Sequence, residues 1–150
     1  MTGLKINVKF LEAEFNPTDD DMTAAWDMYV ELITRITTQP LADGCGDEKT
    51  ALESVYSIFA ATRSVLKEKG RNANNFSRIA IIVLNQVIRP FTTKWHGEML
   101  KGNLTEEKKA EFRNELEELQ LKLKGYSGLL AEMAKVEDLT SIEENTVLND

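Results

Sequence analysis

The segment from Phe76 to Trp95 restricts the possible folds of this chain more than any other part of the sequence. Its apolar residues form one helical stripe and also cover the other sides; they are Phe76, Ile79, Ala80, Val83, Val87 and Phe91, with Ile81, Ile82, Leu84 and Ile88. A helix that is apolar on nearly every side is surrounded by other elements. Because Pro90 lacks a backbone donor, we expect this helix to kink or break near Arg89 and Pro90. The sequence therefore predicts a helical domain with this segment at its centre.

The length and composition indicate one soluble globular domain. The chain has 150 residues, of which 42% are hydrophobic and 29% are charged. This size suffices for a single hydrophobic core. The longest apolar run, from Ile79 to Leu84, is much shorter than the roughly 20 residues that cross a bilayer. We therefore expect neither a membrane span nor a membrane partner.

Three more helices are indicated by apolar residues at spacings of three and four. The first is predicted over residues 20–37, after the acidic run at residues 19–21, which suits a helix N-terminus. The second has a stripe that ends before Gly70 and comprises Leu52, Val55, Tyr56, Phe59 and Leu66. The last starts near residues 103–105 and has a seam formed by Phe112, Leu116, Leu119, Leu123, Tyr126, Leu130 and Met133. Short connections between four helices predict an antiparallel four-helix bundle.

The two ends of the chain differ from the helical part. Apolar and polar residues alternate over residues 4–11, which is typical of a β-strand with one buried face. We expect this strand to pair with another chain, to pair with a strand that the pattern does not reveal, or to lie across the helices as an extended arm. Residues 136–150 are rich in acids and predict a partly ordered tail. The helical domain is thus expected to span residues 1–135.

Charge and cysteine content favour a cytoplasmic protein that does not bind nucleic acid. The net charge of −7 would repel a phosphate backbone from most of the surface. The lone Cys45 excludes an intramolecular disulfide, which suits a reducing compartment. The first residues lack the basic patch and apolar run of a secretory signal.

No complete catalytic or metal-binding set is present in the sequence. His96 is the only histidine and Cys45 the only cysteine, which excludes a His-rich metal site and a structural zinc site. The acids near residues 12–21 lack the spacing of a calcium loop, and no glycine loop matches a phosphate-binding motif. No nucleophile elbow surrounds the possible nucleophiles Cys45, Ser77, Thr92 and Thr93. We predict no metal, cofactor or catalytic residue, and the sequence leans away from an enzyme.

Polar residues within apolar helices are the candidate functional residues. They are Arg35, Arg63, Asn85, Arg89, Lys94, Trp95 and His96. One interpretation is a satisfied polar network that fixes the helix register and supports the Pro90 kink. The other is a ligand or partner site in which the arginines converge on a carboxylate or phosphate. The sequence leaves both interpretations open.

Two segments carry a resemblance to a group of bacterial proteins. Residues 31–41 read ELITRITTQPL and residues 83–96 read VLNQVIRPFTTKWH. The chain resembles, over residues 4–140, small uncharacterised bacterial helical proteins with similar "TR-TTQPL" and "LN-RPF-KWH" segments. The resemblance implies a bacterial cytoplasmic protein and an association with anti-phage or other conflict systems. It supplies no catalytic residues.

Three functional hypotheses follow from these features. The first is a non-enzymatic helical protein-interaction or regulatory module, such as a subunit of a bacterial anti-phage defence system, that acts through the groove beside the third helix. Its partner would be another protein, or a second copy that associates through the N-terminal strand. The second is a sensor or enzyme for a small anionic ligand held by Arg35, Arg63, Arg89 and Lys94. The third, an acidic mimic of nucleic acid, fits less well because basic residues alternate with the acids of the last helix.

Overall fold

The computed structural model describes residues 4–8, 11–35, 48–102 and 104–139, and within this part four helical units pack together. Helix α1 spans Asp19–Ile33, and α2 spans Glu48–Lys69 and continues into a 3₁₀ turn at Gly70–Asn72. The third unit comprises α3 at Asn74–Ile82, a π-helical segment at Val83–Ile88 and α4 at Arg89–Leu100. The fourth is α5 at Glu106–Ala134. The predicted four-helix bundle is confirmed.

The N-terminal strand has a partner within the chain. Strand β1 at Leu4–Val8 pairs antiparallel with β2 at Leu11–Phe15, so that Val8 lies opposite Leu11. The alternation of Leu11, Ala13 and Phe15 was the signal for β2, but it is short and follows β1 almost directly. The sequence left pairing with an undetected strand open as one of three arrangements but did not identify β2. Association of two copies through β1 stays a prediction.

The third unit contributes several fully buried residues to the core, as its apolar stripe predicts. Phe76, Ile79, Ile88 and Trp95 are all fully buried. One side of the unit differs from the expectation, because Ile81 is 47% exposed. The unit thus has one solvent-facing side among its packed ones.

The expected interruption at Pro90 takes the form of a π-helical segment. The Arg89 amide donates to the Leu84 carbonyl, five residues back, and Pro90 occupies the first turn of α4. A proline is tolerated in a first turn, where its missing donor is not needed. The chain therefore continues as a helix past Trp95 to Leu100.

The helix starts follow from local side-chain chemistry. The Thr18 side chain caps α1, and Thr105 Oγ1 accepts from the Lys108 amide at 3.1 Å to cap α5. The end of α1 at Ile33 precedes the predicted residue 37. Residues 36–47, with Cys45, lie outside the described residues.

The chain turns back on itself after α5. Lys135 adopts a left-handed conformation with φ of 60°, and the Val136 amide donates to the Ala131 carbonyl at 2.9 Å. The Leu139 amide then donates to the Tyr29 hydroxyl at 2.6 Å. The first residues of the predicted acidic tail thus contact α1, and residues 140–150 lie outside the described part.

Candidate functional site

The seven polar candidate residues do not form one cluster. The structure distributes them over three places: the α4–α5 contact, the end of α1, and the surface shared by α2 with the third unit.

Lys94 and Trp95 connect α4 to α5. The Lys94 ammonium lies 3.1 Å from Glu111 Oε2 and 2.5 Å from Glu115 Oε2. Hydrogen bonds to Glu115 and Glu111 raise the pKa of Lys94 above its ordinary value. Trp95 is fully buried, donates from Nε1 to Glu115 Oε1 at 3.2 Å and meets the Phe112 ring edge-on at 5.2 Å. Both side chains are therefore engaged in holding the two helices together.

Arg35 connects the end of α1 to α2. Its guanidinium forms an ion pair with Glu31 at 3.1 Å, and its Nε donates to Ser57 Oγ at 2.9 Å. Lys94 binds carboxylates of α5 instead, so the four cations proposed for a small anion do not share one site.

Arg63 and Arg89 meet at one aromatic ring. The guanidinium carbons of Arg63 and Arg89 lie 5.9 Å and 4.9 Å from the ring centroid of Phe59, within cation–π range. Arg89 Nε also donates to Asn85 Oδ1 at 3.1 Å. Both arginines are exposed, and among the described residues neither forms an ion pair. Two exposed cations therefore approach the same ring, and within the described residues neither has a carboxylate within 4.0 Å.

His96 lies at an apolar groove that adjoins the arginines. Tyr56 connects the two regions, because its ring centroid lies 5.5 Å from that of Phe59 and 6.1 Å from that of His96. The groove has a volume of about 590 Å³ and is lined by Lys49, Leu52, Glu53, Tyr56, His96, Met99 and Leu100. A second depression of about 420 Å³ continues along α2 to Arg63. We call the surface formed by Tyr56, Phe59, Arg63, Arg89, His96 and Leu100 the α2–α4 face.

Sequence analysis identified the cations of this face but missed its apolar residues. Tyr56 was assigned to the buried stripe of the second helix, yet 48% of it is exposed. Leu100 is 74% exposed and lies beyond the predicted end of the third helix. A large exposed apolar residue is the signal for such a surface, but exposure follows from packing and is not visible in the sequence.

The acidic run at the start of α1 serves as a cap. Burial by itself raises the pKa of the Asp21 carboxyl, but hydrogen bonds from the Phe76 and Thr18 amides and from the Asn75 and Thr18 side chains outweigh it, so the pKa lies below its ordinary value. The carboxylate accepts from Asn75 Nδ2 at 2.9 Å, and so it joins α1 to the start of α3. Within the described ranges, no group of three His, Cys, Asp or Glu residues could hold a metal ion.

The possible nucleophiles near the third unit are bonded to backbone carbonyls. Ser77 Oγ donates to the Gly70 carbonyl at 2.9 Å, and Thr92 Oγ1 donates to that of Arg89 at 3.1 Å. The ring of His96 contacts Tyr56 rather than either hydroxyl group. In the part of the chain that the structure describes, no helix combines the length and the apolar character needed to span a membrane.

No protein-family model, curated protein or solved structure matches this chain. The fold and the site define a helical bundle with an exposed face that combines cations, aromatic rings and an apolar groove.

Proposed function

We propose that this chain is a helical protein-interaction module that binds its partner through the α2–α4 face. The observation that carries the proposal is the pair of exposed cations, Arg63 and Arg89, that flank Phe59 without an ion pair among the described residues. Arginine and tyrosine are enriched among the residues that dominate binding energy at protein interfaces. The face presents both types beside an apolar groove.

The exposure of the apolar residues supports a macromolecular partner. Leu100 and Tyr56 are large, and about three quarters of the first and half of the second are in contact with solvent. A partner that covers them removes apolar surface from water, which stabilises the complex by about 25 cal/mol for each Å² buried. Of the four candidate cations, Arg35 is engaged with Glu31 and Ser57, and Lys94 with Glu111 and Glu115. Arg63 and Arg89 are the two that lie on this face.

Site-specific photo-crosslinking in cells of the source organism tests this proposal. A photoreactive phenylalanine analogue replaces Leu100 in one variant and Leu121, which is 68% exposed on α5, in a control variant. We expect one protein to be crosslinked at position 100 and not at position 121. That product should disappear when Arg63 and Arg89 are both changed to Glu. Equal crosslinking at both positions, or none at position 100, contradicts the proposal.

We also propose bacterial anti-phage defence as the cellular setting, because of the resemblance of residues 31–41 and 83–96 described above. Plaque counts on host cells with and without the gene test this setting. We expect the native chain to lower phage plating, and the variant with Arg63→Glu and Arg89→Glu to lose this protection while remaining folded. Equal plating with and without the gene contradicts it.

A further inference from the structure

On the basis of the proposed function, we infer that the partner binds as an acidic amphipathic helix, with an apolar side chain in the Tyr56–Leu100 groove and carboxylates on Arg63 and Arg89. This specifies the chemistry of the partner, which the proposed function leaves open.

Charge complementarity favours an acidic partner. The chain has a net charge of −7, yet among the described residues of the α2–α4 face and its groove there are three cations, Lys49, Arg63 and Arg89, and one acid, Glu53. Guanidinium groups bind carboxylates through two parallel hydrogen bonds, and both guanidinium groups lie within about 6 Å of the Phe59 ring, where cation–π attraction favours them. The acidic remainder of the surface repels an acidic partner from other sites, which directs it to this face.

The course of the helices favours a helical partner. Tyr56 contacts His96 while Phe59, further along α2, contacts the earlier residue Arg89, so α2 and α4 run in opposite directions with a groove between them. The main-chain groups of two helices are already bonded, and such a groove offers no ladder to an extended strand. A third helix can instead lie along the groove and bury one side.

The spacing along α2 sets the pattern expected in the partner. From Tyr56, at the groove, to Arg63 there are seven residues, or about 10 Å along the helix axis. A helix that lies along α2 covers this distance with residues i and i+7, which share one face. The partner should therefore have a large apolar residue two turns away from one or two acids.

Selection from a displayed library of random 16-residue helix-forming peptides, with the full chain as bait, tests this inference. We expect the selected peptides to have an aromatic or aliphatic residue and, six to eight positions away, Asp or Glu. With the variant R63E/R89E as bait, the acids should be replaced by Lys or Arg. A peptide selected on the native chain should bind the variant at least about tenfold more weakly.

A control variant separates the local effect from net charge. The double variant R71E/K122E changes two exposed cations outside the α2–α4 face. It alters the net charge of the chain by the same amount as R63E/R89E does. We expect this variant to bind the selected peptide as the native chain does. Thermal melts followed by circular dichroism verify that both double variants are folded. Equal weakening by the two variants overturns the inference.

Other outcomes identify a different occupant. If the selected peptides lack acidic residues and do not bind the variant Leu100→Asp, the inference is overturned while the proposed function stands. The inference is also overturned if inorganic phosphate or a thymidine oligonucleotide displaces the best peptide at a concentration no higher than that of the peptide. That result would point to another anion as the ligand. Sedimentation that shows a dimer of the native chain but a monomer of R63E/R89E identifies a second copy as the occupant, with the same consequence.

Discussion

The Asp21 carboxylate accepts a hydrogen bond from the Phe76 amide at 3.0 Å, across 55 positions of sequence. The same side chain accepts from the Thr18 amide at 3.0 Å, so one buried carboxylate serves the first turns of both α1 and α3. A helix start has amide groups without internal partners, and α3 has no side-chain cap of its own. Asp21 supplies that cap from another helix.

Asp21→Asn should destabilise the fold by about 2 kcal/mol. The NH₂ group that replaces one carboxylate oxygen cannot accept the hydrogen bonds that the surrounding N–H groups donate. Asp20→Asn is the matched control, since Asp20 is exposed in the same turn and should change stability by less than about 1 kcal/mol. Urea unfolding followed by circular dichroism measures both. Equal effects of the two substitutions would show that Asp21 acts only through the helix dipole.

The stability contributed by Asp21 should depend on pH in the acid range. Because the folded-state pKa is lower than the ordinary value of about 3.9, the contribution is complete at pH values above that value and is lost as the pH falls through the folded-state pKa. The native chain should therefore lose stability below about pH 4 more steeply than Asp21→Asn. Unfolding free energies measured at several acid pH values provide the comparison. Parallel curves would contradict the lowered pKa.

Glu115→Ala should destabilise the α4–α5 contact by about 1 to 2 kcal/mol, because the buried Trp95 Nε1–H loses its acceptor. Glu118→Ala, at an exposed position on the same helix, should change the unfolding free energy by less than about 0.5 kcal/mol. Thermal unfolding and the near-ultraviolet circular dichroism of tryptophan report on this site. An unchanged melting temperature would mean that Trp95 is held by packing alone.

Tyr126→Phe should leave stability unchanged or raise it by up to about 1 kcal/mol. The Tyr126 hydroxyl is buried without a hydrogen-bond partner among the described residues, and burial raises its pKa far above the ordinary value. Tyr29→Phe is the contrasting variant, since the Tyr29 hydroxyl accepts from the Leu139 amide, and it should be destabilising by about 1 kcal/mol. Denaturant unfolding compares the pair. A larger loss for Tyr126→Phe than for Tyr29→Phe would reverse this assignment.

Lys135→Gly should raise stability by up to about 1 kcal/mol, because glycine adopts the left-handed conformation of this position without steric cost. Lys135→Ala retains the β-carbon and should leave stability nearly unchanged. Melting temperatures of the three proteins test the difference. A stability gain for alanine equal to that for glycine would point to the lysine charge as the cause.

The sequence alone determined the helical class and the location of the core. Apolar spacing along each segment identified the four helical units, because a helix repeats every 3.6 residues whatever it packs against. Local caps at Thr18 and Thr105 fixed two helix starts. These properties depend on residues only a few positions apart.

Only the tertiary structure decided which polar residues meet. Arg63 and Arg89 share the ring of Phe59, whereas Lys94, five residues after Arg89, faces α5 and its acids. The rotation of each helix about its axis and the choice of its neighbours determine such contacts, and both result from packing of the whole core. The sequence could name the arginines, but the fold determined that two of them meet at one ring beside an exposed groove.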